Sequence, residues 1–119
     1  MQHEVTTADT AEQMGSGDVP VLATPRLIAW LEAATVQAAA GLVGPGQTSV
    51  GIAVRIEHQR ATKVGGTIEA MADPPTTSGR RLSFVVKAID ESGHVVAVGE
   101  IDRVIVDREK FLVRAAEGA

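Results

Sequence analysis

The chain has 119 residues, 45% apolar and 22% charged, with no cysteine. That is the size and make-up of one globular domain over 1–119, and it excludes a disulfide scaffold, a thiolate metal site and a cysteine nucleophile. Eleven Lys and Arg against fifteen Asp and Glu give a net charge of −4, which argues against a nucleic-acid face or a polybasic membrane anchor.

The first eighteen residues are small and polar, with Val5 to Thr7 able to form one short strand and Gly15 to Asp18 a loop. No secretory signal and no membrane-length apolar run is present, so a cytoplasmic location is expected. The main helix is predicted from Thr24, as N-cap, with Pro25 in the first turn. It runs to Leu42 or Val43, where Gly44, Pro45 and Gly46 stop it. Its faces are apolar nearly all round, which predicts a buried helix.

The period then changes. Val50, Ile52, Val54, Ile56 and His58 alternate with Gly51, Ala53, Arg55 and Glu57, as in a strand. Thr67 to Ala72 is a second strand, and 73–79 a turn or mobile loop. Arg81 to Asp90 and His94 to Val106 are two strands joined by a tight turn. A bulge or bend is expected near Gly99, and a frayed tail after Lys110. One helix with four or five strands predicts an α+β fold, in which a curved antiparallel sheet wraps the helix. A second copy would cover the side left open.

Three residues stand out for chemistry. Glu32 falls among Ile28, Val36, Ala39 and Val43 on the helical wheel. A carboxylate there is either a buried structural group or a functional one. His58 closes the apolar face of its strand; alone it reads as a satisfied strand-end histidine. Beside Glu32 it would be half of an acid–base site. Thr24 reads first as a cap, and second as a hydroxyl that attacks or holds water at a helix N-terminus. Eight positions separate it from Glu32, about 12 Å along the axis, so direct contact is not expected. Arg80 and Arg81 are either solvated or phosphate contacts. Arg103 is expected to pair with Glu100 or Asp102, and Gly51 to permit a close backbone approach. His3 and His94 read as surface residues. No phosphate loop, dinucleotide fingerprint or metal motif occurs, so neither metal nor cofactor is expected.

The element order resembles the hotdog fold. Gly15 to Glu32 (GSGDVPVLATPRLIAWLE), Gly46 to Thr62 (GQTSVGIAVRIEHQRAT), Gly79 to Phe84 (GRRLSF) and Asp102 to Phe111 (DRVIVDREKF) are similar to the fluoroacetyl-CoA thioesterase-like branch of hotdog thioesterases. The resemblance implies hydrolysis of an acyl-CoA thioester to free acid and CoA by Thr24, Glu32 and His58. Thr24 would attack or position water, and His58 would serve as general base and acid. Glu32 would orient or charge-stabilise His58, or itself attack. Gly51 and Arg103 match positions at the acyl pocket. The resemblance also implies a homodimer with sites at the interface, and leaves open whether dimers pair into tetramers.

In the fluoroacetyl-specific member bulky aromatic residues close the acyl pocket and a longer segment precedes the helix, whereas this chain has almost no aromatics and a shorter start. Fluoroacetyl-CoA itself is therefore not carried over. The alternative function is a non-catalytic hotdog module that binds acyl-CoA or another apolar ligand. A dehydratase or hydratase ranks last, for want of an Asp and His pair in the required layout.

Overall fold

The computed structural model describes residues 1–118. Six strands form one antiparallel sheet: β1 (Gln2–Glu4), β2 (Gln47–His58), β3 (Thr67–Ala72), β4 (Thr76–Ser78), β5 (Arg81–Asp90) and β6 (Val95–Asp107). Their order across the sheet is β1-β3-β5-β6-β2, with β4 paired to β5. Three α-helices accompany them among the described residues: α1 (Ala11–Met14), α2 (Thr24–Ala39) and α3 (Arg108–Ala116). The wrapped helix and antiparallel sheet agree with the expected architecture.

The core lies between α2 and the sheet. Leu27 and Leu31 from the helix meet Ile68, Leu82, Phe84, Val86 and Ile101 from the strands. On β5 the alternate residues Leu82, Phe84, Val86 and Ala88 are all buried, the period-two signature of a sheet with one covered face. α2 is not buried all round. It hides Leu27, Leu31, Ala34, Thr35 and Ala39, while Val36 is 50% exposed. One sheet can cover only one side of a helix, and the apolar remainder faces out of the chain.

Several expectations need correction. The N-terminal strand is Gln2–Glu4, not Val5 to Thr7, because β1 pairs with Thr67 to Glu69. The predicted loop 73–79 contains β4, which turns tightly into β5 through Gly79 and Arg80. Gly79 has φ +60°, a backbone state that favours glycine. The tail is not frayed after Lys110. Asp107 accepts the Lys110 N–H at 2.9 Å and starts α3.

The bulge expected at Gly99 lies elsewhere. Gly99 pairs in register with Ile56 and Val86, while the β2–β6 ladder shifts between Gly51 and Ala53 and the β5–β6 ladder between Ala88 and Ile89. Gly99 has a different constraint: a Cβ there would run into the Arg55 carbonyl. Backbone atoms cannot swing aside, so Gly99→Ala is expected to cost about 1–3 kcal/mol. Urea unfolding measures this; a variant as stable as the parent would contradict it.

Candidate functional site

The start of α2 is held from both sides. The Ala23 N–H donates to the Asp9 carbonyl and the Leu22 N–H to the Thr62 carbonyl. Arg26 also reaches the Asp9 carboxylate at 3.0 Å. These ties set the first turn of the helix against the end of β2. Thr24 is not the N-cap; Ala23 is, with no side-chain capping bond, and Thr24 is the first helical residue. Its hydroxyl is free of a capping role and lies 2.8 Å from His58 Nδ1.

With Thr24 donating to Nδ1, the neutral ring carries its proton on Nε2. That atom is buried and makes no hydrogen bond among the described residues. Burial holds the His58 pKa below the ordinary 6.5, so the ring is neutral at pH 7 and able to accept the Thr24 proton. The two residues border a cleft of about 330 Å³, lined also by Gly17, Val19, Gln59 and Arg60. A hydroxyl bonded to an imidazole at the first turn of a helix can deliver a nucleophile or a polarised water.

Glu32 belongs to a second cluster. Its Oε2 lies 3.9 Å from Arg103 Nη1. Arg103 is buried, and Ser49 clamps it: Nε donates to Ser49 Oγ and Nη2 to the Ser49 carbonyl, both at 2.9 Å. Burial lowers the Arg103 pKa, and Glu32 opposes that shift. Gly51 faces the same carboxylate: a Cβ there would come within 3.0 Å of Glu32 Oε2. The glycine makes room for the acid.

Strict alternation would put Gly51 on the face opposite His58. The register shift between Gly51 and Ala53 changes the phase. Ser49 and Gly51 before it, and Ile56 and His58 after it, all face α2. Arg103 does not pair with Glu100 or Asp102, because successive strand residues point to opposite faces. Asp102 instead accepts from Arg81 at 2.7 Å and Arg55 at 3.2 Å on the far face. The Arg81 hydrogen bond foremost holds its carboxyl below the usual range.

Within one chain, then, Thr24 meets His58, and Glu32 meets Arg103 and Gly51. No hydrogen bond joins Glu32 to His58 among the described residues. Ser49 is the residue that sequence reasoning missed; its position two before Gly51 was the available signal. His3 is not a plain surface residue: it stacks on Trp30 at 4.5 Å with the rings 3° from parallel. His94 is exposed and lies 3.4 Å from Asp90. No group of three metal-ligating side chains is present among the described residues. No helix among them is long and apolar enough to cross a membrane.

A family model for fluoroacetyl-CoA-specific thioesterases matches residues 5–109. The chain belongs to this family. The fluoroacetyl-CoA thioesterase of Streptantibioticus cattleyicolor is 36% identical over 94 residues, which cover 76% of this chain and 65% of that protein. The match thus spans slightly less than two thirds of the relative's own length. A Phe-to-Ala variant of the fluoroacetyl-CoA-specific thioesterase, solved with fluoroacetate and CoA, superposes with a TM-score of 0.91. It is 26% identical and is matched over 100% of this chain and 97% of that one. A thioesterase-superfamily member from Thermus thermophilus gives a TM-score of 0.90 at 26% identity, over 99% of this chain and 88% of that one. These likenesses place the fold among the hotdog thioesterases.

Proposed function

We propose that this protein hydrolyses an acyl-CoA thioester to a free acid and CoA. The observation that carries the reading is the 2.8 Å contact between Thr24 and a half-buried His58, in a member of a thioesterase family. His58 takes the proton from Thr24, or from a water that Thr24 holds, as oxygen attacks the thioester carbonyl. The tetrahedral intermediate then collapses. The C–S bond breaks, and the imidazolium returns the proton to the departing thiolate. If Thr24 attacks, an acyl-threonine forms and water releases the acid in a second step.

Glu32 completes the site from a second copy of the chain. β2 is an edge strand twelve residues long, paired on one side only, and such an edge is a template for another strand. Ile52 and Val54 on it, and Val36 on α2, are 47%, 40% and 50% exposed. Two β2 strands joined antiparallel about a two-fold axis would bring the Gly51 end of one toward the His58 end of the other. Glu32, beside Gly51, would then approach His58 of the second copy. The separation of Thr24 and Glu32 within one helix, about 12 Å, favours this over a site within one chain.

Thiol release from a panel of short to long acyl-CoAs tests the activity. Release for at least one chain length supports it. No release from folded protein with any of them moves the reading to a binding module. The pH dependence follows from His58. Its pKa is lowered, so the reactive neutral ring is lost only as pH falls below 6.5. The rate is expected to drop on the acid side with a midpoint under 6.5, and a flat profile from about pH 5 to 8 would count against His58. Stability should follow the same sign. A depressed histidine pKa adds stability that is complete above 6.5 and disappears as pH falls through the folded value. His3, also lowered by burial first of all, adds to the effect.

A further inference from the structure

Among the described residues Arg103 is the only buried lysine or arginine. A guanidinium is flat, and along one edge its Nε–H and an Nη2–H run parallel as a fork. Ser49 alone takes that edge. Its hydroxyl accepts from Nε and its carbonyl from Nη2, both at 2.9 Å. The opposite nitrogen, Nη1, is left turned to Glu32 Oε2 at 3.9 Å. A flat group held at two points keeps its plane; held at one point, it pivots. The serine hydroxyl is the second point.

The strand register explains why Ser49 can do this. The β2–β6 ladder pairs Gly51 with Arg103, and Ser49 lies two residues along the same face of β2, within reach of a long diagonal side chain. The two positions then divide the work. Ser49 turns the cation. Gly51 leaves the gap, since a Cβ there would stand 3.0 Å from Glu32 Oε2 and 3.6 Å from Arg103 Nη1. The Glu32–Arg103 pair is too long and too exposed on its acid side to contribute much stability. A weak pair does not need so fixed a cation. A carboxylate that must meet a substrate at a set point does.

We propose that Ser49 is a positioning residue for the hydrolysis: it fixes the Arg103 guanidinium so that Nη1 faces Glu32 and holds that carboxylate at one point of the site. This rests on the thioesterase reading for the role of Glu32, but its test is separable. The Arg103 Nε–H resonance of ¹⁵N-labelled protein, identified by its loss in R103K, reports the clamp without any substrate. Its exchange with solvent is expected to be at least about tenfold faster in S49A than in the parent. S49T keeps the hydroxyl and is expected to exchange as the parent does. In thiol release, S49A should lower kcat at least about tenfold, with KM within about threefold of the parent, and S49T should recover most of the rate. In the E32Q background S49A should cost less than about a further twofold, because the carboxylate it serves is already gone. Parent-like exchange in S49A, a rate in S49T as low as in S49A, or the same fall in both backgrounds would overturn the proposal. If the parent releases no thiol from any acyl-CoA, the proposed activity falls, while the exchange rate still decides whether Ser49 fixes Arg103. Circular dichroism confirms that the variants are folded.

Discussion

His58→Ala should lower kcat by about 10²–10⁴-fold, the usual contribution of a positioned general base. The ring has one side-chain hydrogen bond among the described residues, to the Thr24 hydroxyl at 2.8 Å, and burial lowers its pKa against the opposing pull of the Arg60 backbone. Removing it leaves Thr24 with nothing to take its proton. The fold should tolerate the change. Thr24 makes no capping bond, and Ala23 starts the helix without one. The buried Nε2 has no hydrogen bond to lose among the described residues. Steady-state thiol release with a matched circular dichroism spectrum checks both statements. A folded variant that keeps more than about a tenth of the parent rate would remove His58 from the chemistry.

Glu32→Gln should cost about 10²–10³-fold in kcat with little change in stability. Glutamine preserves the volume beside Gly51 and removes only the charge. Arg103 stays clamped by its two bonds to Ser49, so the cluster should keep its shape. The ion pair itself is long, 3.9 Å, and the Glu32 side chain is 40% exposed. Screening limits its contribution to about 1 kcal/mol or less. A large fall in rate with an unmoved melting temperature therefore marks a functional carboxylate. A fall in both together would mark a structural one, and full activity would show that Glu32 takes no part.

The sequence made the long helix and the main strands legible because their patterns are local. Thr24-Pro25 and Gly44-Pro45-Gly46 bracket α2, and the alternation from Val50 to His58 marks β2. The same locality hid what depends on pairing. The register shift at Ile52 appears only once β2 is laid against β6, and it is what brings Gly51 to the face that His58 shares. Arg103 is close to Glu100 and Asp102 in sequence, but the pleat sends them to opposite faces, and its partner Ser49 lies on another strand. Thr24 reads as a cap in sequence because a threonine before a proline fits a helix start. Its bond to His58 spans 34 positions. The expectation of a frayed tail passes over a local signal for α3: Asp107 as cap, Glu109 in the first turn and Arg114 in the last.

The joining of two chains is most directly tested by mixing two inactive variants. In a dimer with one His58→Ala and one Glu32→Gln subunit, a site shared between subunits has one copy built wholly from unchanged residues. The other copy carries both changes. A site within one chain has none intact. Denaturing the two variants together and refolding them should give about half mixed dimers, each with one of two sites working. Thiol release from an acyl-CoA should then return to about a quarter of the parent rate. Activity no higher than that of either variant alone, with mixed dimers verified by mass, would contradict the shared site.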